Sequence, residues 1–261
     1  MHHVDLDNSG LAELPPEIGD VDEVQVLTAW RNHLTSLPDW LWRFTELQFL
    51  NLGENQIREI SGDISRLVNL HTLDLGHNAL TSLPDLLGDL PNLTRYLYLS
   101  NNRLSAVPAS LGRLAGLAYL NISDNRITSL PDSFGSLAAL RELRLYNNQL
   151  TAVPESFGRL TQLRELHLRD NRITHLPTEL GGLDNLRILD LRKNALSQLP
   201  SSFARLTRLA YLDLRANRFA RVPEFLAQLP RLEKLDLRWN NLKSPPTWVE
   251  DLEKRGCTVL F

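Results

Sequence analysis

At 261 residues and 43% hydrophobic, the chain carries material for a sizeable core, and its formal charge of −3 with a pI near 6.2 gives no basic excess for a polyanion. A single cysteine, Cys257, excludes an internal disulfide framework, and no apolar run approaches the roughly 20 residues a membrane-spanning helix needs. The polar N-terminus lacks a secretory-signal pattern, so a soluble cytoplasmic protein is expected, and 24 arginines against four lysines suit a GC-rich, bacterial source.

One period organises the chain. Asparagine recurs at Asn32, Asn55, Asn78, Asn102, Asn125, Asn148, Asn171, Asn194, Asn217 and Asn240, in eight steps of 23 residues and one of 24, and Ser9 continues the series backwards. The frame is Leu-x-x-Leu-x-Leu-x-x-Asn-x-Leu-x-x-Leu-Pro or a conservative variant, and a fixed period of this size marks stacked repeats. Eleven repeats, the first truncated, are predicted over residues 1–254, with a C-terminal capping segment at 245–261 overlapping the last.

At the N-terminus, Val4 and Leu6 already occupy strand positions, with no amphipathic capping helix before them. That end is expected to need a preceding segment or a partner to cover it. Of Trp40 and Trp42, one is expected to shield this end and the other to be exposed. The following repeat has Ser61 where others have proline, which predicts a softer turn. The 24-residue step falls in Leu93–Leu99, where a bulge at Thr94–Tyr96 would restore the register of Leu97 and Leu99. That insertion reads either as tolerated or as a device that re-aims Tyr96.

The frame is clearest around Asn148. Leu143 and Leu145 alternate with Arg144 and Tyr146, the period of a strand with one buried face. Asn148 is placed to satisfy peptide groups left unpaired where the chain turns, and copies of it would form a ladder. Pro154 blocks a continuing strand, and Phe157 and Leu160 return the chain to the core along a helical or 3₁₀ segment. Near the C-terminus Val249 and Leu252 keep that inward pair, and residues 255–261 supply a last short strand.

This frame resembles the leucine-rich repeat family in its typical 23-residue intracellular form. The resemblance implies an α/β fold: a leucine-rich repeat solenoid with a concave parallel β-sheet of about eleven strands and short helical or 3₁₀ convex segments. It also implies a non-enzymatic scaffold that binds another protein through the concave face. The alternative it leaves open is the substrate-recognition arm of a larger effector-type ubiquitin ligase or kinase, including an effector delivered into a host cytosol.

Outward-facing strand positions supply the candidate partner-binding residues. Trp30, Phe49, Tyr96, Tyr98, Tyr119 and Tyr146 form an aromatic zone, with Gly53 and Gly76 leaving a hollow between aromatic walls. The competing reading is packing of these rings on one another across strands. Arg169, Arg192, Arg215 and Arg238 form a ladder beside Asp190, Asp213 and Asp236, to be read either as lateral ion pairs or as a charged face that selects a partner. The interleaved aspartates argue against nucleic acid. No catalytic constellation, cofactor motif or metal-ligand spacing is found, the seven histidines included. Residues 1–130 hold 8 basic and 16 acidic groups and residues 131–261 hold 20 and 15, a polarity that predicts salt-sensitive self-association.

Overall fold

The computed structural model describes residues 2–21 and 23–261. The chain divides into two compact units, Met1–Ile127 and Thr128–Phe261. In the first, six short strands run parallel in chain order: β1 (His2–Asp5), β2 (Val24–Thr28), β3 (Phe49–Asn51), β4 (Thr72–Asp74), β5 (Tyr96–Tyr98) and β6 (Tyr119–Asn121). The second repeats the arrangement with β7 (Glu142–Arg144), β8 (Glu165–His167), β9 (Ile188–Asp190), β10 (Tyr211–Asp213), β11 (Lys234–Asp236) and β12 (Thr258–Leu260). Each unit is a leucine-rich repeat solenoid. The strands exceed the eleven expected repeats because Thr258–Leu260 pairs with β11 after the last full frame.

The central residue of each three-residue strand, leucine in all but β12, points inward. Leu50, Leu73, Leu97 and Leu120 in unit 1, and Leu143, Leu166, Leu189, Leu212 and Leu235 in unit 2, are fully buried or nearly so. Opposite the strands, the chain returns through five-residue 3₁₀ segments such as Asp39–Arg43, Asp85–Asp89, Glu155–Arg159 and Ser201–Arg205. Proline in extended conformation precedes most of them; Pro84, Pro154 and Pro200 have ψ between 139° and 144°. Strand neighbours are about 4.8 Å apart, whereas packed α-helices need about 8–10 Å, so a thinner segment suits this repeat.

Glycine reduces that mismatch further. A Cβ added at Gly88, Gly135 or Gly181 would run into the backbone carbonyl of Ser110, Ser156 or Ser202 on the next 3₁₀ segment, and one at Gly158 into that of Glu179. The hydroxyls of those three serines are buried without a hydrogen-bond partner, so these positions favour small side chains over satisfied polar ones.

The asparagines fasten one repeat to the one before. Asn55 Oδ1 accepts from Leu34 N–H at 3.0 Å, while its Nδ2 donates to the carbonyls of Ala29 at 2.9 Å and Leu52 at 3.0 Å. Asn32, Asn78, Asn102, Asn125, Asn171, Asn194, Asn217 and Asn240 repeat this pattern, and Asn148 Nδ2 donates to Leu145 O at 3.1 Å. The residue before each asparagine has a left-handed backbone, from Arg31 at φ 55° to Trp239 at φ 59°.

The irregular repeats resolve locally. In a regular pair one carbonyl serves two amides: Gln48 O accepts from both His71 and Thr72 N–H. After the extra residue, Ala118 N–H donates to Thr94 O and Tyr119 N–H to Arg95 O, so two carbonyls take the place of one and the insertion is absorbed ahead of β5. Ser61 does not soften its turn. Its Oγ accepts from Asp63 N–H at 3.1 Å and caps the 3₁₀ segment Gly62–Arg66. Trp42 is buried, and Trp40 is half-buried against Phe44, their rings 5.7 Å apart.

Two stability predictions follow from these contacts. Asn171→Ala strands the amide of Leu150 and the carbonyls of Leu145 and Leu168, and should cost about 1–3 kcal/mol in urea denaturation, against under about 0.5 kcal/mol for exposed Arg172→Ala. Equal midpoints would show that the carboxamide does not hold the repeats together. Gly135→Ala should likewise cost about 1–3 kcal/mol by forcing a Cβ against backbone, while Gly62→Ala, which meets only the flexible end of Leu86, should be nearly neutral.

Candidate functional site

Because strand residues alternate in direction, burying the central leucine turns its two neighbours outward. In unit 1 these neighbours form two rows across the sheet. One runs Val26, Phe49, Thr72, Tyr96, Tyr119 and the other Thr28, Asn51, Asp74, Tyr98, Asn121, each residue in register with the next. The strands end here, and a third row, two residues before each asparagine, carries Trp30, Gly53, Gly76, Ser100 and Ser123.

Three tyrosines cluster on this face. The rings of Tyr96 and Tyr98 stack at 6.0 Å, and Tyr119 lies tilted against both at 5.6 and 5.0 Å. Tyr96 is 45% exposed and Tyr98 half-buried, whereas Tyr119 is only 9% exposed and supports the other two more than it presents itself. Both sequence readings therefore apply: the rings pack together, and the outer pair still faces solvent. Trp30 and Phe49 are half-buried on the same sheet, with no ring contact to the tyrosines among the described residues. Tyr146 belongs to unit 2, where the Arg169 guanidinium lies 4.2 Å over its ring.

The arginine ladder of unit 2 is largely satisfied within the unit. Arg215 forks onto Asp213 with contacts of 2.9 and 2.5 Å and reaches Asp236 at 3.3 Å, and Arg238 forks onto Asp236 at 3.0 and 2.7 Å. Arg192 sits 3.5 Å from Asp190. Arg169 is held more loosely, at 3.8 Å from Asp170 and 4.0 Å from Asp190. Burial raises the carboxyl pKa of Asp190, against the pull of Arg192 and with a push from Asp213. Beside the ladder is a shallow hollow lined by Ile188, Tyr211, Lys234 and His167. Tyr211, 44% exposed, lies in an outward row but outside the predicted set, because single-residue scanning gives no sign of the hollow next to it.

Register also gathers Glu142, Glu165 and His167, whose donor atoms lie within 4.8 Å of one another. They could offer a cation two carboxylates and an imidazole, a grouping invisible in linear spacing because it spans two strands. Basic neighbours already engage these carboxylates: Arg144 Nε donates to Glu142 at 2.5 Å, and His167 Nε2 is 3.2 Å from Glu165.

Asp74 has no counterpart to those arginines. Its Oδ1 accepts from Gly76 N–H at 2.8 Å, and burial pushes its pKa above the ordinary 3.8, with His77 attracting and Glu54 repelling the charge. A group whose folded pKa is raised supports the fold below its unfolded pKa and loses that contribution as pH rises through the folded value. The melting temperature of Asp74→Asn minus that of the wild type should therefore grow as pH climbs from about 3 through the carboxylate range. A difference independent of pH would show that this carboxylate carries no burial cost.

Family comparisons agree with this architecture. A leucine-rich repeat region model matches residues 154–255, a leucine rich repeat model matches 94–150, and a two-copy repeat model matches 68–112. A leucine-rich repeat protein of Leptospira interrogans is 31% identical with a TM-score of 0.81, over 100% of this chain and 72% of that one. A chain of the Drosophila Toll–Spatzle complex is 29% identical with a TM-score of 0.82, over 96% of this chain and 36% of that one. A chain of the octameric complex of Latrophilin 3, Unc5D and FLRT2 is 26% identical with a TM-score of 0.78, over 97% and 88%. Comparison with curated protein sequences returned no match. Among the described residues no helix is long and apolar enough to cross a membrane. With a 31% identical relative aligned along its whole length, the chain belongs to the leucine-rich repeat family.

Proposed function

We propose that this protein is a non-enzymatic interaction module that binds another protein through the outward rows of its sheet. The observation that carries this reading is the Tyr96–Tyr98 pair. Two large aromatic side chains are held in a stacked arrangement, propped from beneath by Tyr119, and left accessible at no cost to the inward leucines. Rigid aromatics of this kind concentrate binding energy, because little conformational entropy is lost when they are covered. The Toll–Spatzle complex and the Latrophilin 3, Unc5D and FLRT2 assembly are protein complexes that each contain a chain similar to this one, which supports the class of partner without naming it. Within unit 2, Arg169, the least tightly paired of the ladder, and Tyr146 are the corresponding contact residues, while Arg192, Arg215 and Arg238 present a balanced charged surface that orients a partner.

The double variant Tyr96→Ala, Tyr98→Ala should lose affinity capture of the partner from native cell lysate while its melting curve stays close to that of the wild type. Exposed Arg159→Ala, on a 3₁₀ segment away from the sheet, should change neither. Capture that survives the double variant together with Phe49→Ala would sink the reading and leave the rings as packing alone.

Unit 1 carries the 8 basic and 16 acidic groups and unit 2 the 20 and 15, since residues 128–130 are uncharged. We further expect self-association through opposite charges, strongest near 0.01 M salt, where screening reaches about 30 Å, and fading at 0.15 M, where it reaches about 8 Å. A monomeric mass by light scattering at every salt concentration would rule it out. The second reading, a recognition arm of a larger enzyme, draws on the 36% of the Toll–Spatzle chain that this chain spans, and the full reading frame of its transcript decides it.

A further inference from the structure

The aspartate row behaves differently in the two units. In unit 2, Asp213 and Asp236 are followed two residues later by Arg215 and Arg238, and in each case the guanidinium closes onto the carboxylate with two contacts. In unit 1, Asp74 occupies the same row, but Gly76 stands where the arginine would be, and the neighbouring repeat has Gly53 at that position. Among the described residues no lysine or arginine pairs with Asp74, and the titratable groups that face it are His77 and Glu54. The glycines put no side chain over the carboxylate, which lies close against the bare backbone: the point one bond out from Gly53 lies 3.2 Å from Asn51 Oδ1 and 3.3 Å from both Asp74 Oδ1 and the Trp30 ring edge, and the corresponding point at Gly76 lies 3.1 Å from Asp74 Oδ1 and 3.4 Å from Ser100 Oγ. Tyr98 stands directly beside Asp74 in register on β5.

We propose that Asp74 is a receptor for an arginine side chain presented by a protein partner, the guanidinium forking onto its carboxylate between Trp30 and Tyr98. The proposal rests on the reading of the sheet face as the partner-binding surface and supplies the chemistry of one contact. Both halves of the contact already occur inside this protein: the fork at Arg215–Asp213, and the stack at Arg169–Tyr146 with 4.2 Å between guanidinium and ring. Arginine fits better than lysine, because its planar fork matches a carboxylate, spreads over an aromatic face and is less costly to dehydrate than a compact ammonium. The carboxylate is partly withdrawn from water without a cation in its own chain, so a partner's guanidinium would recover an interaction that the fold leaves unmade.

The test is a titration of the ¹⁵N-labelled full chain with the peptide acetyl-Gly-Arg-Gly-amide, followed by NMR, with the citrulline peptide as an uncharged isostere. The arginine peptide should shift the Trp30 indole N–H and the Gly53 and Gly76 amides saturably, and the citrulline peptide should not. Asp74→Asn, checked for a native spectrum, should weaken binding about tenfold or more, as expected for loss of a charge-assisted pair. Gly76→Arg, which follows the Asp-x-Arg pattern of unit 2, should occupy the carboxylate from within and abolish peptide shifts. Equal shifts with citrulline, or unchanged binding by Asp74→Asn, would overturn the arginine assignment. So would the absence of shifts at these three sites, and if loss of Tyr96 and Tyr98 still abolished partner capture, the wider interaction face would stand without it.

Discussion

The interaction on which this structure depends is the asparagine carboxamide. Most strands are three residues long, too short to stabilise a sheet by themselves, and each turn leaves amides and carbonyls that must find partners away from water. A carboxamide meets that need because it carries an acceptor and two donors on one rigid plane. Asn217 shows the arrangement in unit 2: Oδ1 takes the Leu196 amide from the repeat before, and Nδ2 gives to Leu191 in that repeat and to Leu214 in its own. Aspartate could accept but not donate, and leucine could do neither. Repeat length is therefore fixed by where the next carboxamide must arrive. Even after the inserted residue, Asn102 reaches Leu80 N–H at 3.0 Å and Leu75 O at 2.9 Å, because the bulge takes up the surplus earlier in the repeat.

Once that spacing is set, the return segments must fit a strand-to-strand step. This is why glycine and serine recur on the far side from the sheet. Gly88, Gly135, Gly158 and Gly181 let one 3₁₀ segment touch the next through backbone, and the cost appears in the unpaired hydroxyls of Ser110, Ser156 and Ser202. Close approach at those points is worth more than the hydrogen bonds forgone, since a larger neighbour would pry the repeats apart and open the leucine core.

The fold was legible in the sequence because its determinants are periodic and chemically strict. Leucine at the inward positions, asparagine at the turn and proline before the return segment tolerate few substitutes, so they repeat visibly over 23 residues. The left-handed residue before each asparagine was not legible: Arg31, Glu54, His77, Asp170, Ala216 and Trp239 all occupy it, since neighbouring backbone bonds impose the conformation on any residue without a β-branch. The return segments could be placed but not typed, because a five-residue stretch with one or two apolar positions suits α and 3₁₀ geometry alike. At the candidate site, the sequence identified which residues face outward but not how they combine. Tyr119 reads like Tyr96 in composition yet lies under it, and Glu142, Glu165 and His167 come together only through register between strands.

On the proposed reading, information about a partner resides where the outward rows break the pattern. Asp-x-Arg on successive strands of unit 2 yields a self-satisfied, part-buried surface whose charges are already committed to one another. Unit 1 departs from that arrangement at adjacent places: glycine replaces arginine at 53 and 76, an extra residue precedes β5, and tyrosine occupies both outward positions of that strand. None of these changes replaces an inward leucine or an asparagine of the carboxamide ladder. Asp74 goes further, since burying an unneutralised carboxylate opposes folding at neutral pH. Its Oδ1 keeps the bond to the amide two residues on that Asp213 and Asp236 also make, so what distinguishes Asp74 is the missing guanidinium, and that is the contact the proposed partner arginine would supply.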